Sequence, residues 1–147
     1  MAIWFKDVED YYGAEAALRG GMWGALGYAA WVTVSIGITF ATTDVGLLYA
    51  IMTPMEKAFL FALTGGRVGL ALFTAWRFKI GKGAISGALL ALVVVAVILF
   101  EVSNGFFHGI IWYVALLAIV LALVNGVRAS LAMRSMADPE EAVEVFE

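Results

Sequence analysis

Arg67 stands near the middle of the apolar run that opens with Thr53-Pro54-Met55-Glu56, and Glu101 stands near the end of the next one. A guanidinium at that depth in a bilayer costs about 3 kcal/mol on insertion scales, so it should face protein or water and find a counter-charge. Side chains of a helix lean toward its N-terminus. Since the two runs are expected to cross in opposite senses, Arg67 leans outward and Glu101 inward. At about 1.5 Å per residue their heights differ by roughly 12 Å, a gap two long side chains largely close. The spacing therefore predicts an Arg67–Glu101 ion pair. Its functional reading, with His108 just beyond the second of those runs, is an ion or proton path, or an anion site opening outward. Its structural reading, a buried pair that fixes helix register, is the favoured one.

Glu56 and Lys57 have a plainer explanation. Thr53 is a good N-cap, Pro54 sits where a missing N–H costs nothing, and Glu56 falls at the third helical position, so "TPME" reads as a capping box. Glu56 and Lys57 then rest among headgroups, where charge is cheap, and join His108 in a candidate outer polar cluster. Catalytic signatures are missing: no nucleophile elbow, no phosphate loop, no Ser-Lys or Asp-Asp dyad in mid-span. With one histidine and no cysteine, no metal site is expected, nor any other cofactor. The chain reads as a non-enzyme. A net charge of −3 without any lysine and arginine run argues against nucleic acid as a partner.

These residues need elements to hold them. Hydrophobic residues are 63% of the 147, charged ones 14%, and the mean hydropathy is +0.95. Such usage belongs to an integral membrane protein with the lipid bilayer as its first partner. A spanning helix takes about 20 apolar residues. Four segments qualify, near 22–41, 54–78, 84–102 and 107–127, and predict an all-α, antiparallel bundle of four transmembrane helices in a single domain. Residues 1–20 form an amphipathic segment, expected as an interfacial helix with Trp4, Val8, Tyr11 and Leu18 on one face. The acidic run before the first span is unlike the positive leader of a cleaved signal, so that span is expected to stay. Val45 to Met52 is apolar but too short to cross and reads as an interfacial turn of helix behind Asp44. Residues 135–147 form an acidic tail, in which Asp138-Pro139-Glu140-Glu141 repeats the capping grammar and predicts a short helix.

Positions that pack helices are also visible. Gly65 and Gly69 flank Arg67 in a G-x-x-x-G step, repeated at Gly83 and Gly87 and at Gly20 and Gly24, a spacing that lets helices approach closely in lipid. Thr33, Ser35 and Thr39 suit a wet crevice or hydrogen bonds between helices. Asn125 and Arg128 mark the inner polar end of the last span, Arg128 as an anchor and Asn125 as a cap or bridge to a carbonyl. Their segment, "LVNGVRASLA", resembles the closing stretch of small bacterial membrane proteins with similar Asn-Gly-Val-Arg strings, a resemblance that implies no activity. Lys6, Arg19, Arg77, Lys79, Lys82, Arg128 and Arg134 fall on one side of the membrane against Lys57 on the other. The positive-inside rule then puts both termini in the cytoplasm, with a bacterial inner membrane as the expected location. Trp23, Trp76 and Phe78 form the inner aromatic belt, and Phe106, Phe107, Trp112 and Tyr113 the outer one. The functional expectation is an accessory or scaffold subunit that packs against itself, as a homo-oligomer, or against a larger membrane complex. The alternative is a small homo-oligomeric channel or transporter that uses Arg67 and Glu101.

Overall fold

The computed structural model describes residues 10–42, 44–105, 109–134 and 136. All regular structure among them is helical: α1 (Tyr11–Thr42), α2 (Val45–Ile51), α3 (Pro54–Lys79), α4 (Ala84–Ser103) and α5 (Ile110–Ala132). All but α2 are long and apolar enough to cross a membrane. α1 packs against α3 and α5, and α4 joins both of those neighbours on the far side. The residues fully buried between them include four alanines, Ala14, Ala25, Ala71 and Ala129, all at 0% exposure. Small side chains let backbones approach where no hydrophobic force drives helices together.

The start of α3 follows its sequence grammar. The Glu56 amide donates to Thr53 Oγ1 at 3.3 Å, while the Thr53 amide donates back to Glu56 Oε2 at 2.7 Å. Pro54 occupies the first helical position. The other end closes in a Schellman turn: the Lys82 amide reaches the Arg77 carbonyl at 2.9 Å and the Gly81 amide reaches that of Phe78 at 3.0 Å. Gly81 takes φ +70°, which a side chain would strain. From α5, Ser130 fastens this turn, its Oγ accepting from the Ala84 amide at 3.1 Å and donating to the Gly81 carbonyl at 2.9 Å. The amide at the head of α4 thereby gains the partner its own helix cannot supply.

Four expectations need correcting. The N-terminal helix is not separate over the described part of 1–20: α1 runs unbroken from Tyr11, with Ala14, Ala17 and Leu18 buried in the bundle and Arg19 bonded to Glu15. Its 32 residues extend about 48 Å, more than the roughly 30 Å of hydrocarbon, so α1 tilts or reaches beyond it. Phe78 is not a belt residue but a core one, 1% exposed, whereas Trp23 and Trp76 are exposed. Gly65 and Gly69 pack against nothing, since a Cβ at either would meet open space. Thr33, Ser35 and Thr39 bond to carbonyls one turn back in their own helix and bridge no helices.

Gly83 and Gly87 do mark close packing, and they share one partner. A Cβ would lie 2.1 Å from Phe78 Cδ1 at Gly83 and 2.4 Å from Phe78 Cζ at Gly87. Gly126 of α5 and Gly21 of α1 complete the socket, at 2.9 Å and 3.1 Å from the same ring. One benzyl group thus fills the space where all four long helices meet. The expected acidic helix near Asp138 and the first nine residues lie outside the described residues.

Candidate functional site

Tyr28 of α1 is fully buried and has the largest side chain of any fully buried residue described. A phenol in that position needs a hydrogen-bond partner. It has one in Arg67, whose Nε donates to the Tyr28 hydroxyl at 2.9 Å with the guanidinium carbon 5.6 Å from the ring centroid. α3 therefore leans its central charge onto α1 by a hydrogen bond and a cation–π contact.

Glu101 is held from the other side. The Trp112 indole of α5 donates to Glu101 Oε2 at 3.2 Å, and Trp112 rests on Trp31 of α1 with ring centroids 4.2 Å apart. The predicted Arg67–Glu101 ion pair is not formed. Each charge has turned to a neutral partner on a different helix, and the two stand on opposite walls of one cleft between α3 and α4. That cleft has a volume of about 950 Å³ and, apart from them, is walled by apolar residues such as Phe59, Leu63, Val97 and Phe100. α3 and α4 are tied near their shared turn, where Thr74 Oγ1 donates to the Ser86 carbonyl at 3.2 Å. Toward their other ends the cleft separates them.

The ligand inventory of the two charged groups is incomplete. Arginine carries five N–H donors and a carboxylate two acceptor oxygens. Among the described residues Arg67 uses only Nε and Glu101 only Oε2. No described side-chain nitrogen or oxygen is both buried and without a partner, so the remaining atoms are accessible, and both residues line the cleft.

The other expected positions disperse. Glu56 is consumed by the Thr53 cap and Lys57 lies 4.3 Å over the Tyr49 ring of α2, while His108, the third member of the expected outer cluster, falls outside the described residues. Tyr49 in turn meets Phe61 edge to face at 6.5 Å, which folds α2 back on the start of α3. Asn125 and Arg128 contact one another, Arg128 Nη1 donating to Asn125 Oδ1 at 3.5 Å, with α5 continuing past both. Among the described residues no three of His, Cys, Asp and Glu gather as a metal would require.

Tyr28, Trp31 and Trp112 are the site residues that sequence reasoning missed. Their spacing to Arg67 and Glu101 carries no local signal; only the presence of polar-tipped aromatics inside apolar spans pointed to them. No family model, no curated protein and no solved structure matches the chain.

Proposed function

We propose that this chain is a small, non-enzymatic subunit that works by packing its helices against other protein in the membrane. In this reading it is an antiparallel four-helix bundle of a bacterial inner membrane, with both termini on the cytoplasmic side. The observation that carries the reading is the α3–α4 cleft. It is lined by a guanidinium and a carboxylate that each keep accessible, unbonded atoms in apolar spans, where leaving polar groups to hydrocarbon is expensive. A packing partner offers them ligands. The exposed glycines of α3 support the same reading, because Gly65, Gly66 and Gly69 bare backbone on a surface that none of the described residues covers.

The channel alternative finds less support. A path would need polar groups continuing from Arg67 toward the α3–α4 turn. That end of the bundle is instead filled by the Phe78 ring and its glycine socket.

Isolation of the full-length chain from its native membrane in a mild detergent tests the proposal. The expected outcome is a particle larger than one chain, with either further copies or a second protein. A lone monomer at every protein-to-detergent ratio would exclude a packing role.

A further inference from the structure

The cleft specifies more than that it is covered; it also carries information about what covers it. We infer that a second copy of this chain docks through the α3–α4 cleft about a two-fold axis along the membrane normal, Arg67 of each copy meeting Glu101 of its partner. This rests on the packing role proposed above.

The patch is self-complementary. In a two-fold interface the same patch serves on both sides, so every cation it presents must meet an anion of that same patch. The cleft presents one of each, Arg67 on the α3 wall and Glu101 on the α4 wall, and the two are not paired with each other. Each has also kept atoms free for a partner: the Arg67 Nη groups, which are geometrically suited to a carboxylate, and Glu101 Oε1. Depth agrees as well. Copies of one chain insert with one orientation, so their two-fold axis runs along the membrane normal and equivalent residues share a height. The backbone of the partner's Glu101 then stands roughly 12 Å from that of Arg67 along the normal, at about 1.5 Å per residue, a gap the two long side chains largely close by leaning toward their own helix N-termini. A charge pair formed there satisfies two groups that lipid would not.

The surface around the charges permits the approach. Ala62 and Gly66 lie along the cleft side of α3 next to Arg67, and a Cβ at Gly66 would touch nothing among the described residues. Phe59, 68% exposed, and Phe100, 64% exposed, flank the stripe and supply apolar contact area. An unrelated protein has no reason to mirror this arrangement of one cation and one anion. A second copy does so by construction.

The chain has no cysteine, so a single introduced one is a clean reporter. Gly66→Cys in the full-length chain, reconstituted in phospholipid vesicles and oxidised with copper phenanthroline, is expected to give a disulfide-linked dimer. Leu117→Cys, exposed on α5 away from the cleft, is expected to stay monomeric. In the Gly66→Cys background, Arg67→Glu should weaken association on the order of tenfold, about the effect of 1.4 kcal/mol. Glu101→Arg should do the same, and the two reversals together should restore it. Absence of a Gly66 cross-link overturns the inference, and so does a cross-link indifferent to both reversals or not recovered in the double variant. If Gly66 fails to cross-link while the native particle contains a different protein, the two-fold dimer falls and the packing role stands. If the native particle is a lone monomer, both fall.

Discussion

The α3–α4 pair is built in opposite ways at its two ends. Beside the turn, glycines at 83 and 87 admit the Phe78 ring, Ser130 bonds the turn backbone and Thr74 reaches across to α4. Toward the other end the same two helices part, glycines at 65, 66 and 69 meet no other side chain among the described residues, and Phe59 stands exposed. One residue type serves two ends: where a large side chain fills the gap that glycine leaves, the bundle closes on itself, and where none does, the backbone remains available. Glycine spacing alone therefore does not distinguish a packed face from an open one. What decides is whether a neighbouring helix supplies the filling group.

That contrast can be broken by mutation. Phe78→Ala should have the largest effect, because it empties a socket that touches all four long helices; a loss of about 3 kcal/mol is expected from core phenylalanine truncations. Unfolding of the purified chain by titration from mild detergent into dodecyl sulfate measures it. A loss below a third of that value would mean the ring does not hold the helices together. Gly87→Ala comes next. Its methyl would sit 2.4 Å from Phe78 Cζ and 2.9 Å from Val127 Cγ2, and overpacking of this kind costs about 2 kcal/mol. Gly65→Ala is the matching control at the open end, with stability of the isolated chain expected to change by no more than about 0.5 kcal/mol in the same titration. Equal losses for Gly87→Ala and Gly65→Ala would erase the distinction between the two ends.

What the sequence disclosed and what it withheld divide along the same line. The capping box at Thr53 to Glu56, the four long apolar helices and the short helix after Asp44 all rest on signals confined to a few neighbouring residues, and each is present, α1 beginning eleven residues and α5 ending five residues beyond the expected bounds. The partners of the charges rest on contacts between distant positions. Arg67 was expected to reach for Glu101 because opposite charges attract most strongly in a poor dielectric. A buried phenol on α1 was nearer, and the divergence of α3 from α4 set the carboxylate apart. The role of Phe78 was hidden for a similar reason: near the end of an apolar span an aromatic side chain suits the headgroup layer equally well, and only the glycines contributed by three other helices, Gly83 and Gly87, Gly126 and Gly21, make it a core residue. The continuity of α1 through Gly20 and Gly21 was likewise not written locally, because it depends on α5 offering Gly126 and Ala122 to close against Gly21 and Gly24.

The packing role proposed for this chain requires that protein cover the open half of α3. Spin labels placed singly at Gly66→Cys and Leu117→Cys in membranes at native density report that directly, through their collision rates with dissolved oxygen, which concentrates in the acyl region. The label at 66 should collide far less often than the label at 117, and should approach it when the chain is diluted into excess lipid. Equal collision rates at native density, unchanged by dilution, would show acyl chains against Arg67 and its glycines, and would contradict the role proposed for this cleft.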